Sequence, residues 1–375
     1  MDRQVRDGLG MSVIDTPPPT ADAPTMPFAL QRLGTVMRAN PDDPREAWGV
    51  LNPGGVRGPD GDYYLFPRLV AEGNFSRIGR ARVLFDSAGD PTGVERLGCA
   101  LEPREPYECS TQSGGVEDPR VTYLRPLGLY AMTYTAYAAH RPRIALAVSP
   151  DLVEWQRLGL IQYTSKPGAL DLNNCINKDG MIFPDVVADP LGRPALALIH
   201  RPTPGLSQLA DGNHAAPGVR LPEAIWISYA PLDEARADLR KLTHVGGHRV
   251  LLAPLADWEA IKIGGGAPPV RLSYGWLLLY HGVSVDRIQA GDHRRYCAGA
   301  AILDLDDPTV VLYRSSCPIL EPETGFETDG VVPNVVFPTA ADQRGPDRLD
   351  VYYGAADTAV GVARMTIPPT LPTPE

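Results

Sequence analysis

GLYAMTYTAY, Gly128 to Tyr137, opens on a turn glycine, runs on through apolar and β-prone residues, and ends in threonine and tyrosine. Four other stretches read the same way: GDYYLFPR from Gly61, GRPALALIHRP from Gly192, GWLLLYHGV from Gly275 and GPDRLDVYYGAAD from Gly345. Their starts lie 67, 64, 83 and 70 residues apart. That spacing is too regular for chance and too long for a solenoid repeat of about 20 to 45 residues. Before each comes a polar or Gly/Pro-rich segment that turns apolar: VLNPGGV, GVEDPRVTYL, NKDGMIFPDVV, GGAPPVRLS and VPNVVFPTA. After each comes a small-residue, alternating segment: SRIGRARVL, RIALAVSPDLVEW, AIWISYAPL, YCAGAAILDL and VGVARMTI.

Three strands per unit, five units, and room for a fourth outer strand in most predict an all-β chain folded as a five-bladed β-propeller. A two-domain sandwich or barrel would not require a fivefold recurrence. The expected division is an N-terminal extension, partly irregular, over 1–45, and a propeller over 46–375. Residues 1 to about 27 read as a mobile or partner-docking tail, because the Pro17-Pro18-Pro19 run suits neither a helix nor a central strand.

Composition agrees. Hydrophobic residues are 43% and charged residues 21%, ordinary for a chain with a real core, while Gly 37 and Pro 39 favour short strands and turns. The net charge of -10 argues against a nucleic-acid partner or an anionic membrane surface, so an anionic ligand would need a local basic pocket. Cys99, Cys109, Cys175, Cys297 and Cys317 are scattered, with no CxxC pair and no HExxH, so zinc, haem and a disulfide framework are poorly supported. A reduced, cytoplasmic protein is expected. There is no apolar leader and no stretch long enough for a transmembrane helix.

In a propeller, polar motifs at equivalent places in the repeats meet at one mouth of the channel. These are Asn52, Glu117 with Asp118, Lys178 with Asp179, Lys262 and Asn334 on first strands; Arg68, Tyr134, His200 with Arg201, His281 and Asp357 come from second-strand ends. Carboxylates, amides and aromatics on a concave platform suit a sugar. An excess of lysine and arginine suits an anion as well, and phosphate is the obvious one. Glycoside hydrolysis normally needs two carboxyl groups. With phosphate as nucleophile the base is unnecessary, and cations stand in its place.

GGVEDPRVT, YTAY, RIALAVSPDLVEW, NKDGMIFPD, HRP, KIGGGAPP, GWLLLYHGV, AAILDLDDP, PILEPE, VPNVVFPT and YYGAADTAVGVA, in this order from about Asn52 to Ala363, resemble glycoside hydrolase family 130. That family holds β-mannoside phosphorylases and some β-mannosidases on a five-bladed propeller. The resemblance implies a direct inversion: phosphate attacks the anomeric carbon as an acid protonates the leaving oxygen, through a sugar hydroxyl in the phosphorylases. It implies Asp118 as the acid and Arg68, Lys178, Lys262 and His281 as phosphate-binding. Asn52, Asp179, Arg201, Tyr296 and Asp357 would line the sugar site, Arg77 could hold either ligand, and Glu117 and Arg120 would fix the turn.

The implied partners are a β-mannoside oligosaccharide and inorganic phosphate as co-substrate, with no other cofactor or metal. A homo-oligomer is plausible, with the N-terminal tail and the insertion Thr203 to Glu223 as contacts; that insertion would also shape the leaving-group side of the cleft. Departures are Pro67 before Arg68, where many members carry tyrosine, and Lys178-Asp179, where some carry Arg-Asn. A β-mannosidase and a non-catalytic sugar-binding propeller are the alternatives. Bland readings stand beside these: the acidic pair as turn carboxylates, Lys262 as a solvent lysine whose glycines are in the wrong order for a P-loop, and His281 as a satisfied strand histidine. His140, His214, His244, His248 and His293 read as surface residues.

Overall fold

Three of the five first strands carry a kink that aims a polar side chain inward; the computed structural model describes residues 27–138, 141–164, 170–203, 223–286 and 293–372. The N-terminal tail and most of the Thr203–Glu223 insertion, on which interface and cleft roles were expected, lie outside these residues.

The strands in chain order are β1 (Leu30–Arg38), then four groups and a closing triplet. The first group is β2 (Gly49–Arg57), β3 (Tyr63–Ala71), β4 (Phe75–Phe85) and β5 (Pro91–Leu101). The second is β6 (Gly114–Leu124), β7 (Leu129–Tyr137), β8 (Pro142–Ser149) and β9 (Gln156–Leu160). The third contains β10 (Gln162–Tyr163), β11 (Ile176–Ile182), β12 (Val187–Ala188), β13 (Pro194–Thr203), β14 (Ile225–Pro231) and β15 (His244–Leu252). The fourth contains β16 (Lys262–Gly265), β17 (Val270–Arg271), β18 (Trp276–Asp286), β19 (His293–Leu303) and β20 (Val311–Arg314). The triplet is β21 (Val336–Gln343), β22 (Arg348–Ala355) and β23 (Ala359–Thr366).

Within each group the longer strands pair antiparallel, in the orders β2-β3-β4-β5, β6-β7-β8-β9, β11-β13-β14-β15, β16-β18-β19-β20 and β21-β22-β23; the two-residue strands β12 and β17 add to β13 and β18, and β10 pairs parallel with β15. The second strands are the five glycine-led stretches. A short parallel contact, Phe75 with Gly114 and Ser76 with Gly115, ties β4 to β6. First strands of successive groups pack together: β2 on β6, β6 on β11, β11 on β16, and β21 returns to β2.

One strand was not anticipated. β1 pairs antiparallel with β23 from Leu30–Met365 to Arg38–Ala359, giving the last triplet its fourth strand. The expected extension therefore contains a sheet strand. It sits outside the repeat, so periodicity could not reveal it.

The kink is a left-handed residue in a bulge. Asn52, Asp118 and Asp179 have φ of 43°, 46° and 57°. Each sits where the register slips by a residue, between Leu51 and Gly54, Glu117 and Arg120, and Lys178 and Met181. Asn and Asp tolerate this region better than other residues with a Cβ, and a bulge re-aims the side chain. Asn334 (φ 61°), just before β21, repeats the device.

A second repeated device staples inner turn to outer strand. Glu108, Glu259 and Glu327 are buried. Each accepts from two backbone N–H groups of its own turn, from a second-strand tyrosine hydroxyl (Tyr134, Tyr280, Tyr353) and from an arginine of the outermost strand (Arg157, Arg314, Arg32). A buried carboxylate is tolerated because its lone pairs are satisfied this fully. In the first group Glu46 keeps its arginine, Arg96, but Pro67 stands in the tyrosine position. In the third, His200 takes that position and bonds Ser228 Oγ at 2.8 Å and the Asn177 amide at 3.1 to 3.2 Å. Tyr134 and His200 therefore do not join the convergent set. Successive strand residues alternate faces, so the stapling residue and the inward-facing residue after it point opposite ways.

Candidate active site

The bulges bring two polar clusters together around the inner strands. In the first, Arg68 is the hub. Its Nη2 donates to Glu117 Oε1 at 2.8 Å and Asn74 Oδ1 at 3.2 Å, its Nη1 to Asp118 Oδ1 at 3.3 Å, and its Nε to Ser76 Oγ at 2.8 Å. Asn52 Nδ2 donates to the same Asp118 oxygen at 2.9 Å. Lys178 Nζ lies 3.4 Å from Glu117 Oε2 and 5.7 Å from the centre of the Tyr137 ring. Burial would push the Asp118 carboxyl up, but Arg68, Lys178 and the Asn52 hydrogen bond hold it below the usual carboxylate range.

Asp357 lies at the tip of the β22–β23 hairpin, where Thr358 N–H closes on Ala355 O at 3.0 Å. Both central residues, Ala356 and Asp357, have positive φ, 45° and 53°, as a two-residue hairpin of right-handed twist requires. Burial pushes the Asp357 carboxyl up to about 6: Arg68 opposes the rise, and Asp118 and Glu117 add to it.

In the second cluster Arg201 Nε donates to Asp179 Oδ2 at 2.6 Å and Nη1 to Glu223. His281 Nε2 is 3.9 Å from the same Asp179 oxygen. Burial pushes the His281 ring down to about 3, so it is neutral, and its buried Nδ1 has no hydrogen-bond partner among the described residues. Its ring stacks on Tyr296 at 6.0 Å, and Lys262 Nζ lies 5.5 Å from the centre of that Tyr296 ring. Burial, with Arg201 nearby, pushes the Lys262 amine down to about 8. Gly264, in the run that superficially resembles a phosphate loop, serves a different need: a Cβ there would collide with the Asp179 carboxylate and the His281 ring. Glycine is what lets β16 lie against this pair.

Arg120 joins the two clusters without belonging to either. It is 1% exposed, and it donates to the carbonyls of Asp118 (3.0 Å), Gly265 (3.4 Å) and Gly266. Its guanidinium also lies 5.2 Å from the Phe337 ring centre. These carbonyl bonds tie the Asp118 turn to the Gly265–Gly266 segment.

The structure thus gathers Asn52, Arg68, Asp118, Lys178, Asp179, Arg201, Lys262, His281, Tyr296 and Asp357. It does not bring Arg77 in: on β4 that residue pairs with Glu102 at 3.5 Å. Reading the sequence missed Asn74, Glu223 and Arg294, the last being an exposed cation that lowers Lys262 and bonds Tyr296. Glu223 changes the electrostatics. Arg68, Arg120, Lys178, Arg201 and Lys262 are matched one for one by Glu117, Asp118, Asp179, Glu223 and Asp357. Apart from the exposed Arg294, the cations of these clusters are thus balanced by carboxylates.

A cleft of about 350 Å³ opens over the first cluster, with Arg68, Glu117, Lys178, Asn74 and Asp357 in its wall. Among the described residues no helix is long and apolar enough to cross a membrane.

Residues 24–210 and 221–371 match the family profile described as beta-1,4-mannooligosaccharide phosphorylase. The chain is 31% identical over 310 residues to a 1,2-beta-oligomannan phosphorylase of Thermoanaerobacter sp. (strain X514), covering 81% of this chain and 86% of that one. It is 34% identical over 257 residues to a beta-1,2-mannobiose phosphorylase of Listeria innocua, covering 68% and 59%. The solved structure of the beta-1,2-mannobiose phosphorylase from Listeria innocua with beta-1,2-mannobiose superposes with a TM-score of 0.65 at 26% identity, over 90% of this chain and 97% of that one. The ordered motifs, the all-β fold and the profile match over nearly the whole chain agree: this protein belongs to glycoside hydrolase family 130.

Proposed function

We propose that the protein is an inverting β-mannoside phosphorylase in which Asp118 is the proton donor. The observation that carries this is the Asp118 carboxylate held by Asn52 and Arg68 beside the Lys178 amine. The reaction joins a phosphate oxygen to the anomeric carbon as the bond to the glycosidic oxygen breaks. The products are α-mannose 1-phosphate and the released sugar. Hydrogen phosphate contributes the proton that ends on the leaving hydroxyl, so the net reaction neither takes up nor releases one. Because Arg68 and Lys178 are already paired with carboxylates, a phosphate anion beside them adds negative charge to the first cluster. Its charge beside Arg68 and Lys178 raises the proton affinity of Asp118, so the nucleophile also arms the acid.

Lys178, Lys262 and His281, with Arg68, hold the phosphate in this reading. The unpartnered His281 nitrogen suits a ligand oxygen. Asn52, Asp179, Arg201, Tyr296 and Asp357 border the mannosyl ring. No other cofactor takes part. The five groups of strands are read as blades of one propeller over 46–375, with β1 added to the last, and the scattered free cysteines suit the cytoplasm.

The test is the product. Phosphate-dependent release of α-mannose 1-phosphate is expected; free mannose released at equal rates with and without phosphate would sink the reading. The hydrolase alternative has one observation in its favour, since Asp357 is a further carboxyl group beside Glu117 and Asp118.

Asp357 also sets an acid limb. As a carboxylate it accepts sugar hydroxyls, and below about 6 it is protonated, so kcat/KM is expected to fall as pH drops through that value. Asp357→Asn should be poor at every pH and lack the limb; a limb near 6 persisting in that variant would assign it elsewhere. The stability sign is the reverse. A carboxyl with a raised folded-state value stabilises the fold fully below its unfolded value of about 4, and loses that contribution as pH rises through about 6.

A further inference from the structure

The apolar side of the cleft has no role in the chemistry above. Trp48, Val331 and Val332 line it together with Tyr137, Leu51 and Val70. Trp48 is 43% exposed and Val331 57%. Both flank the hairpin tip that carries Asp357. From one side Gly49 packs on the Asp357 carbonyl and Val50 N–H reaches Thr358 O at 3.4 Å; from the other Gly330 packs on Ala356 and Val332 N–H reaches Ala356 O at 3.3 Å. The Trp48 backbone is anchored by its N–H to Val70 O at 2.8 Å, while its side chain stays open to the cleft. An exposed indole and valine, with the half-buried Val332, in a concavity with a charged floor match a sugar ring, whose C–H face is apolar and whose edge is polar.

We propose that Trp48, with Val331 and Val332, is the platform for the sugar that leaves, and so a determinant of which acceptor the enzyme takes. Trp48 precedes Asn52 by four residues, up to about 13 Å along an extended strand. That places it outward of the ring whose anomeric carbon faces Asp118. The face is neutral, so it selects by shape and by C–H stacking rather than by charge. The assignment rests on the phosphorylase reading and names the acceptor subsite of that same cleft.

Trp48→Ala and Trp48→Phe are to be assayed in both directions with β-mannobiose plus phosphate and with α-mannose 1-phosphate plus mannose. Trp48→Ala is expected to raise KM for mannobiose and for acceptor mannose about tenfold. KM for phosphate and for α-mannose 1-phosphate should stay as in the wild type, and Trp48→Phe should recover most of the loss. An unchanged acceptor KM overturns the platform, and so does an equal rise for α-mannose 1-phosphate, which would put Trp48 on the transferred sugar. If the wild type shows no phosphate-dependent turnover, the phosphorylase reading fails instead. Tryptophan fluorescence then decides the platform: quenching by mannobiose that Trp48→Phe abolishes supports it, and quenching unaltered in that variant refutes it.

Discussion

Asp118→Asn is expected to lower kcat for β-mannobiose phosphorolysis by roughly 10²- to 10⁴-fold, the range a positioned general acid contributes. The fold should survive. Asparagine tolerates positive φ about as well as aspartate, and Asn52 and Arg68 can still donate to the amide oxygen that replaces the carboxylate oxygen they now share. The informative readout is the leaving group. A nitrophenyl β-mannoside departs without a proton, so the variant should regain much of its rate on that substrate. A variant equally slow on both would make Asp118 a binding or turn residue, and one that kept its mannobiose rate would end the proposed mechanism.

Arg120→Met should produce the largest loss of stability of any single change near the site. The guanidinium is fully buried and its partners are backbone carbonyls from two different sheets, Asp118 on one side and Gly265 and Gly266 on the other. Methionine fills much of the volume but leaves those acceptors unpaired, at about 1–3 kcal/mol for each buried group. Asp118 and Asp179 lose a stabilising cation as well. A loss on the order of 3–5 kcal/mol is expected in chemical denaturation, with turnover reduced because the Asp118 turn is released. A shift under 1 kcal/mol would show that water replaces the guanidinium without cost.

Much of this architecture was legible because it repeats. Glycine-led second strands recur at a near-constant spacing, and the inward residues announce themselves as Asn-Pro, Asp-Pro and Asp-Gly at the bulges. What stayed hidden depends on pairing between distant parts of the chain. β1 is a single strand with no copy of itself nearby. The staple carboxylates Glu108, Glu259 and Glu327 sit in turns and meet their tyrosines and arginines only after the sheets form. Tyr134 and His200 were placed in the site because they end the right strands, yet a shift of one residue turns a side chain to the opposite face. Glu223 follows a long insertion and shares no motif with the other inward carboxylates, so nothing in its surroundings signalled that it would neutralise Arg201.

The pairing of β1 with β23 has a kinetic consequence. Leu30 finds its partner Met365 only after all the strands between them have been made. During synthesis β1 must wait for β23, with the backbone donors and acceptors of that edge unmatched until then. Such a high-contact-order closure folds slowly and leaves an unpaired edge exposed to aggregation until the ribosome has released the C-terminal residues.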